Sequence, residues 1–389
     1  MSEGAGSQRK VVAALGTTQT IAWASSYYLP AVLVDPVSRD LGIPADGFLA
    51  AFSLALIVSA LVAPAVGRLI DRAGGREVLA ASNLVLACGL VALANAQGAV
   101  SLTVAWAILG LGMGMGTYDP AFATLARIYG SAARGPITGI TLIAGFASTV
   151  GWPITAALDA AFDWRTACLF WAATHILVCL PLNALVLPKG TIEPTASQAK
   201  AVALPTSPAH LRVMVLLGIT FAAVSFVTGA LATHLPRVLQ AGGATIAQAI
   251  FFASLLGPAQ VGARLVEFAV MKHVHPLSAA RFAAALNPIG VLALALLGPA
   301  GMAAFAILHG AGNGLLTIAK GTVPLALIGP EGYGYRQGLI SAPGRALQAT
   351  SPLLFGLLVT RYGADALWFV AALMLVALGA LMQLRAKAY

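Results

Sequence analysis

Runs of about twenty apolar residues, such as those containing SLALIVSALVAPAV (53–66) and VLAASNLVLACGLVALA (78–94), recur along nearly the whole chain. Twenty residues of α-helix rise about 30 Å, the thickness of a bilayer's hydrocarbon core. The composition agrees: 59% of residues are hydrophobic and 9% charged, against about 45–50% and about 25% in soluble domains. Mean hydropathy is +0.88. The chain therefore reads as an all-α integral membrane protein. Its first run, VVAALGTTQTIAWASSYYLPAVLV, is too long for a signal-peptide core and lacks a small-residue cleavage site, so it reads as an uncleaved helix. Cys88, Cys168 and Cys179 all sit inside apolar segments and read as small core residues, not as disulfides or metal ligands.

Twelve spans fit, at about 11–33, 47–67, 77–96, 101–126, 136–158, 166–187, 212–234, 246–271, 277–298, 301–328, 337–359 and 364–384. With the N-terminus inside, Arg9, Lys10, Arg68, Arg72, Arg76, Arg127, Arg134, Lys189, Lys200, Arg212, Lys272, Arg281, Arg336, Arg385 and Lys387 fall on the cytoplasmic side. Only Arg39, Arg165, Arg237 and Arg361 fall outside. So strong a positive-inside bias puts both termini in the cytoplasm, and it accounts for the net charge of +9 without nucleic acid.

The longest polar connection, PKGTIEPTASQAKAVALPTSP (188–208), follows the sixth span and reads as a cytoplasmic linker. The organisation expected is an N-terminal six-helix half over 1–187, a linker over 188–211 and a C-terminal six-helix half over 212–389. The halves resemble each other. ARGPITGITLIAGFASTVGWP (133–153) lies without a gap over GYGYRQGLISAPGRALQATSP (332–352), matching Gly135, Gly139, Gly145 and Pro153 to Gly334, Gly338, Gly344 and Pro352. The same offset places Ala107-Ile108-Leu109 on Ala306-Ile307-Leu308, and GRLID (67–71) falls on ARLVE (263–267) after a three-residue slip. A parallel six-plus-six duplication is one of the repeat architectures of membrane carriers.

Between the second and third spans, GRLIDRAGGR (67–76) packs four charges into ten residues. It resembles the loop 2–3 motif of the major facilitator superfamily through Gly67, Asp71, Arg72, Gly74 and Arg76, with Gly75 standing where that family usually carries a base. Span count, linker and half repeat extend the resemblance over the whole chain. It implies a secondary transporter working by alternating access, in which Gly67, Asp71, Arg72 and Arg76 gate the inner side. On position alone, Asp71 can cap the start of the next helix or pair with a base. The competing reading is a charged turn that only obeys the positive-inside rule.

Asp119, Arg264, Lys320 and Arg345 lie well inside spans, where insertion scales put a charge at about 2.5–3.5 kcal/mol. Each is eight or nine residues from the inner end of its span, roughly 12–14 Å deep, so all four are expected in one layer. Gln19, Trp23, Ser26 and Tyr27 recur at helical spacing on the first span, as do His309, Asn313 and Lys320 on the tenth and Gly112, Gly116 and Asp119 on the fourth. In the family fold, spans 1, 4, 7 and 10 line the central cavity, so the resemblance implies that these faces meet the substrate. His309 has packing as its competing role, and Lys320 with Asp119 could simply pair.

Three cations and one anion leave about +2 to be neutralised, which favours an anionic ligand. Arginine suits a carboxylate by bidentate pairing. An arginine in span eight also resembles the monocarboxylate and oxalate–formate branch, while span one lacks that branch's cation. No GxxxxGK[ST], HExxH or CxxC occurs, so no nucleotide site, metal site or other cofactor is expected, and the chain does not read as an enzyme. The function expected is proton-linked or exchange transport of a small carboxylate-like anion across the bacterial inner membrane, by a monomer surrounded by lipid, with Asp119 as coupling residue. The alternatives are efflux of amphipathic drugs and, further off, a membrane substrate sensor.

Overall fold

The computed structural model describes residues 2–189, 208–270 and 273–385, and among them the chain is all-α with no strand. Twelve spans follow in the order expected. The first runs through α1 (Ser2–Ala24) and α2 (Pro30–Leu41), the second is α3 (Ala45–Ala73) and the third α4 (Gly75–Ala94). The fourth divides into α5 (Ala99–Gly116) and α6 (Tyr118–Tyr129), and the fifth into α7 (Arg134–Ala144) and α8 (Ala147–Ala161). The sixth holds α9 (Trp164–Thr174) and α10 (Leu180–Val186) around a π turn at His175–Cys179. The seventh is α11 (Pro208–Ala241), and the eighth comprises α12 (Ile246–Ser254) and α13 (Leu256–Ala269). The last four are α14 (Pro276–Leu297), α15 (Met302–Ile328), α16 (Tyr333–Tyr362) and α17 (Ala366–Met382).

Large apolar side chains point outward along these helices. Leu61, Leu177, Leu296 and Leu353 each leave 70–75% of their surface outside, which only a hydrocarbon surround makes inexpensive. The protein is a multi-pass membrane protein.

The helices group into two compact units, Met1–Leu204 with Pro330–Ala342, and Pro205–Gly329 with Pro343–Tyr389. Helix α16 thus begins in the first unit and continues in the second. Of the linker read at 188–211, residues 190–207 lie outside the described residues, as do Lys200, Lys272 and Lys387.

Small residues set the packing inside each unit. In GLGMGMG (110–116), a Cβ on Gly110 would collide with the Ala55 carbonyl of α3, while one on Gly112 would lie 2.8 Å from Leu86 of α4. Successive glycines thus face the second and third spans in turn. The second unit repeats the device: a Cβ on Gly310 or Gly314 would lie 2.7 or 2.5 Å from the Leu256 or Gln260 carbonyl of the eighth span. One on Gly312 would lie 2.7 Å from the Ala283 carbonyl of α14. Such approach maximises dispersion contact where lipid offers no hydrophobic drive between helices.

The break in the fourth span has a local cause. Pro120 has no N–H to give the carbonyl four residues back, Gly116, and its ring crowds that carbonyl, so α5 stops there and α6 starts afresh at Tyr118.

Candidate functional site

The carbonyl released at Gly116 is taken by Gln19, whose Nε2 donates to it at 2.7 Å. Because a carbonyl only accepts, the amide's NH2 faces Gly116 and its Oε1 points elsewhere. Gln19 Oε1 and the indole Nε1 of Trp23 are both buried with no hydrogen-bond partner among the described residues. The first span thus keeps one acceptor and one donor unused. Around them Trp23 packs on Tyr27 at 5.2 Å between ring centroids and on Tyr118 of α6 at 4.9 Å, and Tyr27 on Phe52 at 5.8 Å. The single face expected for Gln19, Trp23, Ser26 and Tyr27 is corrected here: α1 ends at Ala24, so Ser26 and Tyr27 are carried by the turn before Pro30. Gly112, Gly116 and Asp119 likewise sit on two helices, separated at Thr117.

Asp119 lies in the first turn of α6 and is 4% exposed. Its Oδ1 accepts a hydrogen bond from Gln337 Nε2 at 3.1 Å, and the same nitrogen lies 3.2 Å from Ser341 Oγ. Acid and amide both belong to the first unit.

GRLIDRAGGR forms the end of α3 and the start of α4. Gly74 sits between them at φ +96°, a conformation that side chains disfavour, and its N–H closes α3 on Ile70. A Cβ on Gly75 would collide with Thr124 of α6, which explains why no base stands there. The Asp71 carboxylate reaches beyond the adjacent helix. Oδ1 accepts from the Gly334 N–H at 2.8 Å and Oδ2 from the Tyr335 N–H at 2.7 Å. Gly334 and Tyr335 belong to the first turn of α16, whose N–H groups have no partner within the helix and whose dipole favours a negative charge. Asp71 therefore caps α16, whereas the start of α4 has no side-chain cap. Arg68 lies over the Tyr335 ring at 4.3 Å, and Arg127 donates to the carbonyls of Asp71 and Arg72. Arg72 is exposed and Arg76 half-buried. A Cβ on Gly67 would collide with the Gly334 carbonyl, and one on Gly338 would lie 2.6 Å from that of Ala63, so α3 and the first turns of α16 touch backbone to backbone.

In the second unit, Arg264 is 5% exposed and Arg345 9%, while Lys320 is half-buried. Arg264 Nε donates to the Gly314 carbonyl of α15 at 3.5 Å, and Glu267, one turn further along α13, is buried too. His309 Nδ1 lies 2.9 Å from Asn287 Nδ2, and Asn313 Oδ1 accepts from Thr228 Oγ1 at 2.8 Å. These four side chains line one small pocket among the seventh, ninth, tenth and twelfth spans.

Several partners carried little sequence signal. Gln337 stands one residue before Gly338 in the repeat block, directly after Arg336, and nothing in its spacing singles it out. Glu267 lies in the segment that matches GRLID. Asn83, His175 and Ser25, joined in a buried chain (Nδ1 to Asn83 Oδ1 at 2.9 Å, Nε2 to Ser25 Oγ at 2.8 Å), come from three spans with no common spacing.

The sequence profile of the Major Facilitator Superfamily matches residues 15–306. A Thermoproteus tenax protein described as an uncharacterized 38 kDa protein in a 23S RNA operon is 31% identical over 161 residues, which cover 41% of this chain and 42% of that protein's length. Among solved structures, the human organic anion transporter TETRAN superposes with a TM-score of 0.70 at 17% identity, covering 96% of this chain and 99% of that one. A proton:xylose symporter bound to 6-bromo-6-deoxy-D-glucose does so with a TM-score of 0.70 at 13% identity, covering 95% and 94%.

Proposed function

The chain belongs to the Major Facilitator Superfamily, and on that premise we propose that this secondary transporter moves a small, carboxylate-like organic anion by alternating access, coupled to protons or to exchange. The observation that carries the anion is the charge sequestered in the second unit. Arg264, Arg345 and Lys320, which lie well inside their spans, are at least half-buried, against one buried carboxylate among the described residues of that unit, Glu267. An excess of about +2 away from water is costly, and an anionic solute relieves it while gaining charge-assisted hydrogen bonds. The two solved neighbours, one carrying organic anions and one xylose, match this fold equally well, so the anion rests on these charges alone.

In this reading Arg264, Lys320 and Arg345 engage the anion. Gln19, Trp23, Tyr27, His309 and Asn313 supply polar and aromatic contact, and Asp119 carries the coupling proton. Gly67, Asp71, Arg72 and Arg76 steady the inner gate. The excess of Lys and Arg on one side supports cytoplasmic termini in a bacterial inner membrane.

The test is a panel of carboxylates scored by thermal stabilisation of the purified protein, since a ligand at 100 times its Kd adds about 2.7 kcal/mol. Arg264→Ala should weaken the best binder by about 1.5–3 kcal/mol, roughly ten- to a hundredfold. Asp119→Asn should keep binding and exchange yet lose pH-driven accumulation. A second reading, efflux of amphipathic cations, draws on the packed rings of Trp23, Tyr27 and Tyr118, the last of which directly precedes Asp119 in sequence and whose faces can hold a cation. Binding of a lipophilic cation that vanishes in Asp119→Asn and survives in Arg264→Ala would replace the anion with that reading.

A further inference from the structure

The pocket in the second unit is lined by Thr228, Asn287, His309, Asn313, Leu316 and Met374, among others, and has room for about one water molecule. Four of its ten lining residues, Thr228, Asn287, His309 and Asn313, bring polar side chains to this void between membrane-spanning helices.

Asn287 is 2% exposed, and one end of its amide faces His309 Nδ1 at 2.9 Å. The other end, Oδ1, is buried and finds no hydrogen-bond partner among the described residues. With Nδ2 donating to the unprotonated Nδ1 of His309, Oδ1 is left over. The chain Asn83–His175–Ser25 in the first unit shows the contrast. There the amide of Asn83 spends Nδ2 on the Leu79 carbonyl and Oδ1 on His175, and the second ring nitrogen of His175 meets Ser25.

We propose that this pocket is a hydration site holding one ordered water, which satisfies the free end of Asn287 and bridges it to the polar side chains of the tenth and seventh spans. A buried water needs two to four polar partners. The Asn287 amide, the His309 ring, the Asn313 amide and the Thr228 hydroxyl supply that number. An apolar void of the same size would stay dry, and an unmatched amide in hydrocarbon is costly. The water completes a polar link from Thr228 through Asn313 toward Asn287 and His309, across three helices of one unit. The inference is independent of which solute is transported.

Met374 reports on the site because it lines the pocket and is 2% exposed. Brief X-ray irradiation of the full-length protein in aerated detergent solution turns waters, including trapped ones, into hydroxyl radicals that add to the nearest methionine sulfur, and dissolved oxygen then removes the hydrogen atom as hydroperoxyl to leave the sulfoxide. Met302, 1% exposed and outside this pocket's lining, is the internal control. Met374 is expected to be oxidised faster than Met302, with oxygen-18 incorporated when the protein is equilibrated in labelled water. Asn287→Leu, similar in shape and without the amide, should bring Met374 down to the level of Met302. If that variant fails to fold, Thr228→Val removes a partner at the far end and should lower Met374 labelling in the same direction. Parent protein in which Met374 labels no faster than Met302 would overturn the proposal, as would folded Asn287→Leu or Thr228→Val in which its labelling is unchanged.

Discussion

Asp71 and Asp119 both act on one short stretch of chain, residues 334–337. Asp71 accepts two backbone N–H groups there and Asp119 a side-chain amide. Asparagine at position 71 could accept only one of the two N–H groups and would turn its own NH2 toward the other. Asp71→Asn should therefore cost the first turn of α16 about 1.5–3 kcal/mol, the range of a charge-assisted hydrogen bond. Transport should fall while folding and substrate affinity hold, as initial rates and binding measured side by side would reveal; parent-like rates would reduce GRLIDRAGGR to a charged turn. Asp40 gives a contrasting case. The hydrogen bond from Arg165 holds its carboxyl below the usual aspartate range, with Trp164 Nε1 adding a bond at 3.2 Å. A lowered folded-state pKa means the stabilisation is present above the usual aspartate value and fades as pH falls through the folded one. Asp40→Asn should be slightly less stable than the parent at neutral pH, and the difference should close in acid; a gap that widens in acid would contradict this. Asp119 was legible in the sequence because a charge in an apolar run is costly, and Asp71 because it stands in a dense cluster of charges between two apolar runs. Gln337 was not, since a neutral amide 218 residues from Asp119 leaves no spacing to read.

Helices packed through glycine answer differently to the same one-carbon change. At Gly110 a Cβ meets the backbone of α3, which cannot turn aside, whereas at Gly262 nothing lies within 4 Å. Gly110→Ala should cost about 1–3 kcal/mol through forced separation of helices. Gly262→Ala should be neutral or gain up to about 1 kcal/mol from helix propensity. Thermal unfolding midpoints of the two variants decide it, and equal shifts would mean that glycine contacts do not set the spacing. The twelve spans and their order could be read from hydropathy because length and apolarity alone define a span. Their interruptions could not: the π turn at His175–Cys179 and the turn at Ser25–Leu29, which ends at Pro30, are local features that a twenty-residue average smooths away.

For the molecule as a whole, the expected sidedness follows from the positive-inside bias. Single cysteines at Lys189 and His210, in a background lacking Cys88, Cys168 and Cys179, should react with impermeant reagents only from the cytoplasmic side. Labelling from outside intact cells would invert the topology. The duplication that the sequence displays suggests a protein divisible at its linker, but the grouping of Pro330–Ala342 with the first unit says otherwise. A gene split at residue 204 would yield one product holding Asp71 and Asp119 and another holding Gly334, Tyr335 and Gln337. The second product would contain its unit whole and the first would lack Pro330–Ala342, so the first should accumulate only when both are made in the same cell. Moving residues 330–342 onto the end of the first product should free it from that dependence. The ancestral halves have become heirs to a single estate: one of them holds thirteen residues that the other cannot do without.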